Sequence, residues 1–410
     1  MSTSATVEPR FWQIADLEHS PELELLLLCA RRNLSADRAQ RARELLEQPL
    51  DWRRLIEQGR VHGLLPLLYW HGTRTLAQEL PREIARQLHD HFRANAARNL
   101  LLIDELFKIV ELLDGSGIPV VPFKGPALAE QLYGDAALRE CVDLDILLRA
   151  RDVPEAIRRL KFAGYSQGPK LTAVQQNAFL TTQYEYAFLS PAGILVELQW
   201  RIAPQYFSLS LPEEHYWDRI QSATICGREV NQLSCEDLLL LLSFHGGKHG
   251  WEKLIWLADV AELIAAHPQL DWDYVLNGAR RTGGLRMLLL SAALARELLG
   301  IALPKHLEQP LAQDRAVPPI ADGIARNVLR GEQPTYVKSQ LYLLRVRERW
   351  QDRLRYVVRF TFTATPMELE MADFPRPFFF LYRCLRVLRG LRKALALVGN
   401  TAARFIERKV

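Results

Sequence analysis

The chain of 410 residues is 49% hydrophobic and nearly balanced in charge, 52 Lys and Arg against 48 Asp and Glu for a formal +4, which excludes a disordered polymer and offers no basic excess of the kind that marks nucleic-acid binders. Its length allows two or more cored domains. Five cysteines (Cys29, Cys141, Cys226, Cys235, Cys384) are odd in number and widely spaced, so neither a disulfide framework nor a zinc ribbon is expected; without a signal pattern or an apolar run of ~20 residues, the expectation is a soluble cytoplasmic protein.

In chain order, a loose tail is expected before Pro21, where helical periodicity begins. Leu23, Leu26, Leu27 and Ala30 form one apolar stripe, Leu45, Trp52 and Leu55 belong to later helices, and Leu64, Leu65, Leu67 and Leu68 make a further patch. Residues 81–113 read as one long helix or two, buried through Leu100, Leu101, Ile103, Leu106, Ile109 and Leu113, with Gly115-Ser116-Gly117 as the stop. At Ile118 the pattern turns extended, and two prolines in Ile118–Phe123 suggest an edge strand. Lys124-Gly125-Pro126 then turns the chain into a helix over 127–133, whose first N–H groups, with the Lys124 ammonium, favour an anion.

The next apolar run carries two acids, Asp143 and Asp145, separated by one leucine. On a strand both side chains share one face, opposite Val142, Leu144, Ile146 and Leu148. Adjacent carboxylates repel unless a cation neutralises them, so a metal site is the physical expectation, with Arg139 offsetting part of the charge. Asp152 is expected to cap a helix that buries Val153, Ala156, Ile157 and Leu160 and stops at Gly164. Residues 184–189 and 193–200 read as a hairpin in which Ile194, Val196, Leu198 and Trp200 face the core, leaving Glu197 on the opposite side as a third acid. A piece over 223–230 is expected to extend the sheet.

Beyond it, Ser234-x-x-Asp237 resembles a capping box opening a helix expected to end at Gly246-Gly247, between His245 and His249. That break argues against a helical zinc pair. Trp251, Leu254, Trp256, Leu257 and Val260 read as core. The arginine-rich stretch 336–360 reads as one long surface helix, 361–377 as a linker or folded-over loop, and the stretch from Phe378 to Lys393 as a basic amphipathic helix. Docking of its apolar face on the protein is favoured over attachment to a membrane or RNA.

Lys124-Gly125, Tyr133-Gly134-Asp135, Arg139, Asp143-Leu144-Asp145-Ile146, a Gly-Tyr after the next helix and a later Val-Glu-Leu together resemble the polymerase-beta-type nucleotidyltransferase superfamily. More narrowly the chain resembles the bacterial uncharacterised nucleotidyltransferases, and more distantly the aminoglycoside nucleotidyltransferases. The narrower family's His-Gly-x-Lys-His-x-Trp and Leu-x-x-Asp segments stand here as His245 to Trp251 and Trp256 to Asp259. The resemblance implies an α+β fold, a small mixed-sheet catalytic core (116–232) between a helical N-terminal domain (1–115) and a helical C-terminal domain (233–410). It implies Asp143, Asp145 and Glu197 as catalytic, metal-holding residues for Mg²⁺ or Mn²⁺, and Gly125 as the turn glycine of a nucleoside triphosphate site that Lys124, Arg139, His245 and Lys248 complete. The implied reaction moves a nucleoside monophosphate to a hydroxyl-type acceptor on a small molecule, peptide or protein, with no stable nucleic-acid partner and no transmembrane segment. Two departures stand out: Pro126 replaces the usual glycine or serine, and Gln199 stands where a histidine often follows the third acid. They motivate one alternative, a catalytically silent nucleotide-binding or scaffold protein; the basic C-terminal helix motivates a second, an RNA- or membrane-associated protein working through that helix.

Overall fold

The computed structural model describes residues 20–76, 80–168, 171–207, 209, 216–332, 334–390 and 392; the tail expected before Pro21 lies outside them, as does Lys393 at the end of the expected C-terminal helix. The fold is α+β. Strands β1 (Val121–Pro122), β2 (Asp143–Leu147), β3 (Ser166–Gln167), β4 (Glu185–Leu189) and β5 (Leu195–Gln199) form one mixed sheet in the order β1-β2-β5-β4-β3. The pair β2–β5 is parallel and the other pairings are antiparallel. A parallel neighbour cannot be reached by a tight turn, and the crossover from β2 to β5 contains the helices Val153–Phe162 and Ala173–Thr182 with β3 and β4 between and after them. The two-residue β1 at the edge fits a segment whose prolines cannot donate to a ladder.

Alternation along the strands gives the sheet two unlike faces. Leu144, Ile146, Tyr186, Phe188, Val196 and Leu198 are buried against Leu106, Ile109 and Leu113 of the 33-residue helix Arg82–Asp114 and against Ile157 and Leu160. In the C-terminal half of that helix the buried apolar positions are Leu102, Ile103, Leu106, Ile109 and Leu113, whereas Leu100 and Leu101, expected in the core, are each 62% exposed. At 3.6 residues per turn those two fall on the side away from the sheet. Val142, expected on the apolar face, is likewise exposed, since it precedes the first registered pair of β2.

Other boundaries also move. The piece expected to extend the sheet is a separate hairpin, β6 (Gln221–Ile225) with β7 (Arg228–Gln232), tied to the sheet edge by an Asn231 side-chain bond to the Val120 carbonyl. Asp152 stands at the expected N-cap but makes no side-chain cap bond. The arginine-rich stretch is two helices, Tyr336–Arg345 and Trp350–Phe362, broken where Arg347 turns inward to bond the Phe207 carbonyl. Within the expected linker, the short helix Pro366–Met371 is anchored by Leu369 and Glu368, both fully buried. Residues 380–390 are helical, with Tyr382 buried in the sheet-side core.

A second apolar cluster runs through the N-terminal helices (Leu26, Leu67), the sheet edge (Val121, Leu147) and the C-terminal helices (Leu241, Leu289). Polar ties cross the same boundary: Arg31 Nε donates to Glu262 at 2.6 Å, and Arg38 donates to the Leu299 carbonyl at 3.0 Å. Helices from both ends of the chain thus share one core and hold the acidic face of the sheet toward the end of helix Cys235–Lys248. Among the described residues no helix is long and apolar enough to cross a membrane.

Candidate active site

The parallel register of β2 and β5 pairs Asp145 with Glu197 directly, and Asp143 lies two residues earlier on the same face. Asp145 is 5% exposed and its Oδ1 accepts two bonds of 2.7 Å, from Lys124 Nζ and from Gln199 Nε2. The same Gln199 amide reaches Glu197 Oε2 at 3.4 Å. Gln199 therefore links two of the acids, a role its neutral amide fills without adding charge.

Local backbone chemistry puts Lys124 there. The Phe123 N–H donates to the Asp145 carbonyl, which lays the end of the preceding segment along β2. Gly125 follows with φ +63°, and a Cβ at that position would stand 3.2 Å from the Asp143 carbonyl oxygen, so a side chain is disfavoured by both conformation and space. Pro126 occupies the first turn of the helix Gly125–Tyr133, where its missing N–H costs no intrahelical bond but removes one donor from the helix end.

A fourth acid, Glu185, escaped sequence reading. It is paired in register with Gln199 across β4 and β5, on the face that carries Glu197. The alternation of Glu185 with the buried Tyr186 and Phe188 marks that face, yet only the antiparallel register shows that it meets β5 at the acids. Three of these carboxylates resist ionisation. Burial first, then the charge of Asp145, pushes Asp143 up to about 6, against the pull of Lys124, Arg139 and Lys253. Burial, then Glu185, Asp145 and Asp143, pushes Glu197 up to about 7. Glu185 is also raised by burial, opposed by its bond with Tyr184 and by Lys248.

The helix Cys235–Lys248 continues through Gly246 and Gly247, contrary to the expected stop. These glycines are packing sites: a Cβ on Gly246 would meet the Trp251 ring at 2.2 Å, and one on Gly247 would meet Met287 at 2.8 Å. The chain turns instead at Gly250 and Trp251, both at positive φ. His245 and His249 are brought within 4.9 Å, centroid to centroid, and both pack on Trp256. Burial, followed by the charges of Lys124, His249 and Lys248, keeps His245 neutral, so Lys248 supplies the positive charge at this end. Its ammonium donates to the Tyr184 hydroxyl at 3.2 Å, and burial, opposed by Glu185, brings it down to about 8.

Arg139 stands apart from this set. Its guanidinium is buried on Asp259, with Nε at 3.0 and 3.1 Å from the two carboxylate oxygens and Nη2 at 2.9 Å, while Tyr133 donates to the same carboxylate at 3.0 Å. Burial works against the charge of Arg139, and the Asp259 carboxylate outweighs it. Asn95 and Asn99 of the long helix donate to the Arg139 carbonyl. Arg139 lends Asp143 a distant positive charge, and its fork is occupied in joining the β2 approach to the helix Leu254–Ala266.

For a divalent cation the donor chemistry fits: Asp143, Asp145 and Glu197 are hard oxygen ligands whose mutual repulsion a cation relieves. The Lys124 ammonium on Asp145 already stands in for part of that charge. Among the described residues, however, no three His, Cys, Asp or Glu side chains are gathered closely enough to hold an ion as they stand. Loading would require the carboxylates to swing together and Lys124 to give up its 2.7 Å contact.

In comparisons with known proteins, the family model described as uncharacterised nucleotidyltransferase matches residues 48–300. No curated protein and no solved structure matches the chain. The matched segment spans more than half of the chain and contains the glycine turn, both acidic strands, the His245–Trp251 segment and the Arg139–Asp259 pair, and on that match the chain belongs to the uncharacterised nucleotidyltransferase family.

Proposed function

We propose that the protein transfers a nucleoside monophosphate from a nucleoside triphosphate to a hydroxyl-type acceptor, with Asp143, Asp145 and Glu197 holding Mg²⁺ or Mn²⁺. The observation that carries this reading is the registered pair of Asp145 and Glu197, with Asp143 on the same face, beside a positive-φ glycine turn at a helix N-terminus. A divalent ion held there would neutralise the acids and polarise phosphate oxygens. The chain's own part is to attract and orient the triphosphate through Lys124, Lys248 and the free N–H groups of the Gly125–Tyr133 helix. Glu197, poised at about 7, is suited to take the proton of an acceptor hydroxyl near neutral pH. A cavity of about 510 Å³, lined by Lys248, His249, Ile324, Lys338 and Tyr342, is the space this reading assigns to the acceptor.

The test is to incubate the protein with each α-labelled nucleoside triphosphate and Mn²⁺ or Mg²⁺, following thermal stabilisation and label transfer. Wild type should show both and Asp143→Asn neither. No stabilisation by any triphosphate with either ion would end the enzyme reading. A second reading, a silent nucleotide binder, is favoured by the Lys124 and Gln199 bonds that already engage Asp145. It calls for metal-independent nucleotide binding with no transfer, which the same experiment separates.

A further inference from the structure

The small net charge of the chain conceals a polar distribution. Residues 336–392 carry twelve Lys or Arg against five Asp or Glu, a net +7, so the rest of the chain is slightly acidic. The Trp350–Phe362 helix lies within this basic segment and has two unlike sides. Asp352 and Tyr356 are buried, and Tyr356 stacks on Phe360. Trp350, Leu354, Val357, Val358 and Phe362 recur at helical spacing on the other side and are exposed to between 46% and 68%. Among the described residues, the body of the protein meets this helix on its buried side and leaves the apolar stripe exposed.

The stripe does not stop at the helix. Val358 and Phe362 continue into a cavity of about 390 Å³ lined by Leu369, Phe379 and Tyr382, with Arg359 and Arg383 in the same lining. Phe378 and Phe380 stand beside it, 48% and 56% exposed. An apolar floor with guanidinium groups suits an amphiphile whose head is an anion and whose tail is hydrocarbon.

Charge decides among possible occupants. A second copy seated on the same face would bring two +7 segments together, which disfavours a symmetric dimer. A nucleic acid would satisfy the arginines but leave Leu354, Val357 and Val358 in water, because aliphatic side chains offer bases no stacking surface. An acidic bilayer satisfies both halves of the pattern. We propose that this face seats the protein peripherally on an anionic lipid bilayer, the stripe entering the boundary between headgroups and acyl chains while neighbouring arginines meet lipid phosphates. The proposal is independent of the transfer reaction.

The full chain is sedimented with vesicles of phosphatidylcholine alone and with vesicles containing about one-third phosphatidylglycerol. Wild type should bind the anionic vesicles and leave the neutral ones. Leu354→Glu combined with Val358→Glu should reduce that binding at least ~10-fold, because each charge must enter the apolar boundary. Both positions are solvent-exposed, so the melting temperature should hold. As a measurement on the unaltered protein, amide hydrogen exchange over residues 350–362 should slow on anionic vesicles. The proposal is overturned if wild type ignores anionic vesicles, if the double variant binds them equally well, if the exchange does not slow, if polyuridylate binds more tightly than the vesicles, or if the protein dimerises in a way the double variant abolishes.

Discussion

Replacing Glu197 with glutamine should stabilise the protein in the absence of divalent ions, and the gain should depend on pH in one direction. Burial and three acidic neighbours raise this carboxyl from its ordinary value of 4.5 to about 7. The folded state therefore binds the proton more tightly than the unfolded state, so the site carries no penalty below pH ~4.5 and its full penalty above pH ~7. A displacement of that size corresponds to at most ~3 kcal/mol at ~1.4 kcal/mol per pH unit. Partial exposure and coupling of this proton to those of Asp143 and Glu185 reduce this to about 1–2 kcal/mol. With an unfolding entropy of about 2.1 cal/mol/K per residue over the whole chain, the difference is worth ~1–2 °C in melting temperature. Thermal unfolding with a chelator present, from pH 4.5 to 8.5, should show Glu197→Gln level with wild type at the acid end and above it at the alkaline end. Added Mn²⁺ with a nucleoside triphosphate should raise wild type and leave the variant unmoved. A variant equal to or below wild type at pH 8.5, or a gap that does not change with pH, would refute the argument that these acids repel.

Lys124→Ala should have the opposite effect, because it removes the cation bonded to Asp145 and leaves a buried carboxylate short of a partner. A loss of ~3 kcal/mol, partly restored by Mn²⁺, is the expected unfolding result. Arg139→Lys should cost ~2–4 kcal/mol in denaturant unfolding, since an ammonium cannot reproduce the fork on Asp259. Gly125→Ala should lower stability by ~1–2 kcal/mol because it forces an alanine to positive φ beside the Asp143 carbonyl, and calorimetry should find weaker triphosphate binding.

Much of the acidic sheet region was legible in the chain itself. Period-two alternation is local, so Asp143, Asp145 and Glu197 could be assigned to polar strand faces without knowing which strands pair, and a glycine before proline marks a turn wherever it stands. Hydrophobic periodicity likewise located the helices, although it did not set the phase of Leu100 and Leu101 or the break at Arg347. Those depend on which neighbour each helix meets.

What only the tertiary structure decided concerns charge and close packing, which act between residues distant in sequence. Asp145 and Asp143 read alike in the sequence, yet Lys124 and Gln199 anchor the first while the second is left to burial and repulsion. Glu185 joins the acids through strand register, and Arg139, expected at the nucleotide, is claimed by Asp259 at a separation of 120 residues. Gly246 and Gly247 look like a helix stop in one dimension and are clearance for Trp251 and Met287 in three. Local pattern determines which way a side chain points, because that follows from the backbone repeat. What it meets there depends on chain closure, and so does whether a carboxylate is neutralised or strained.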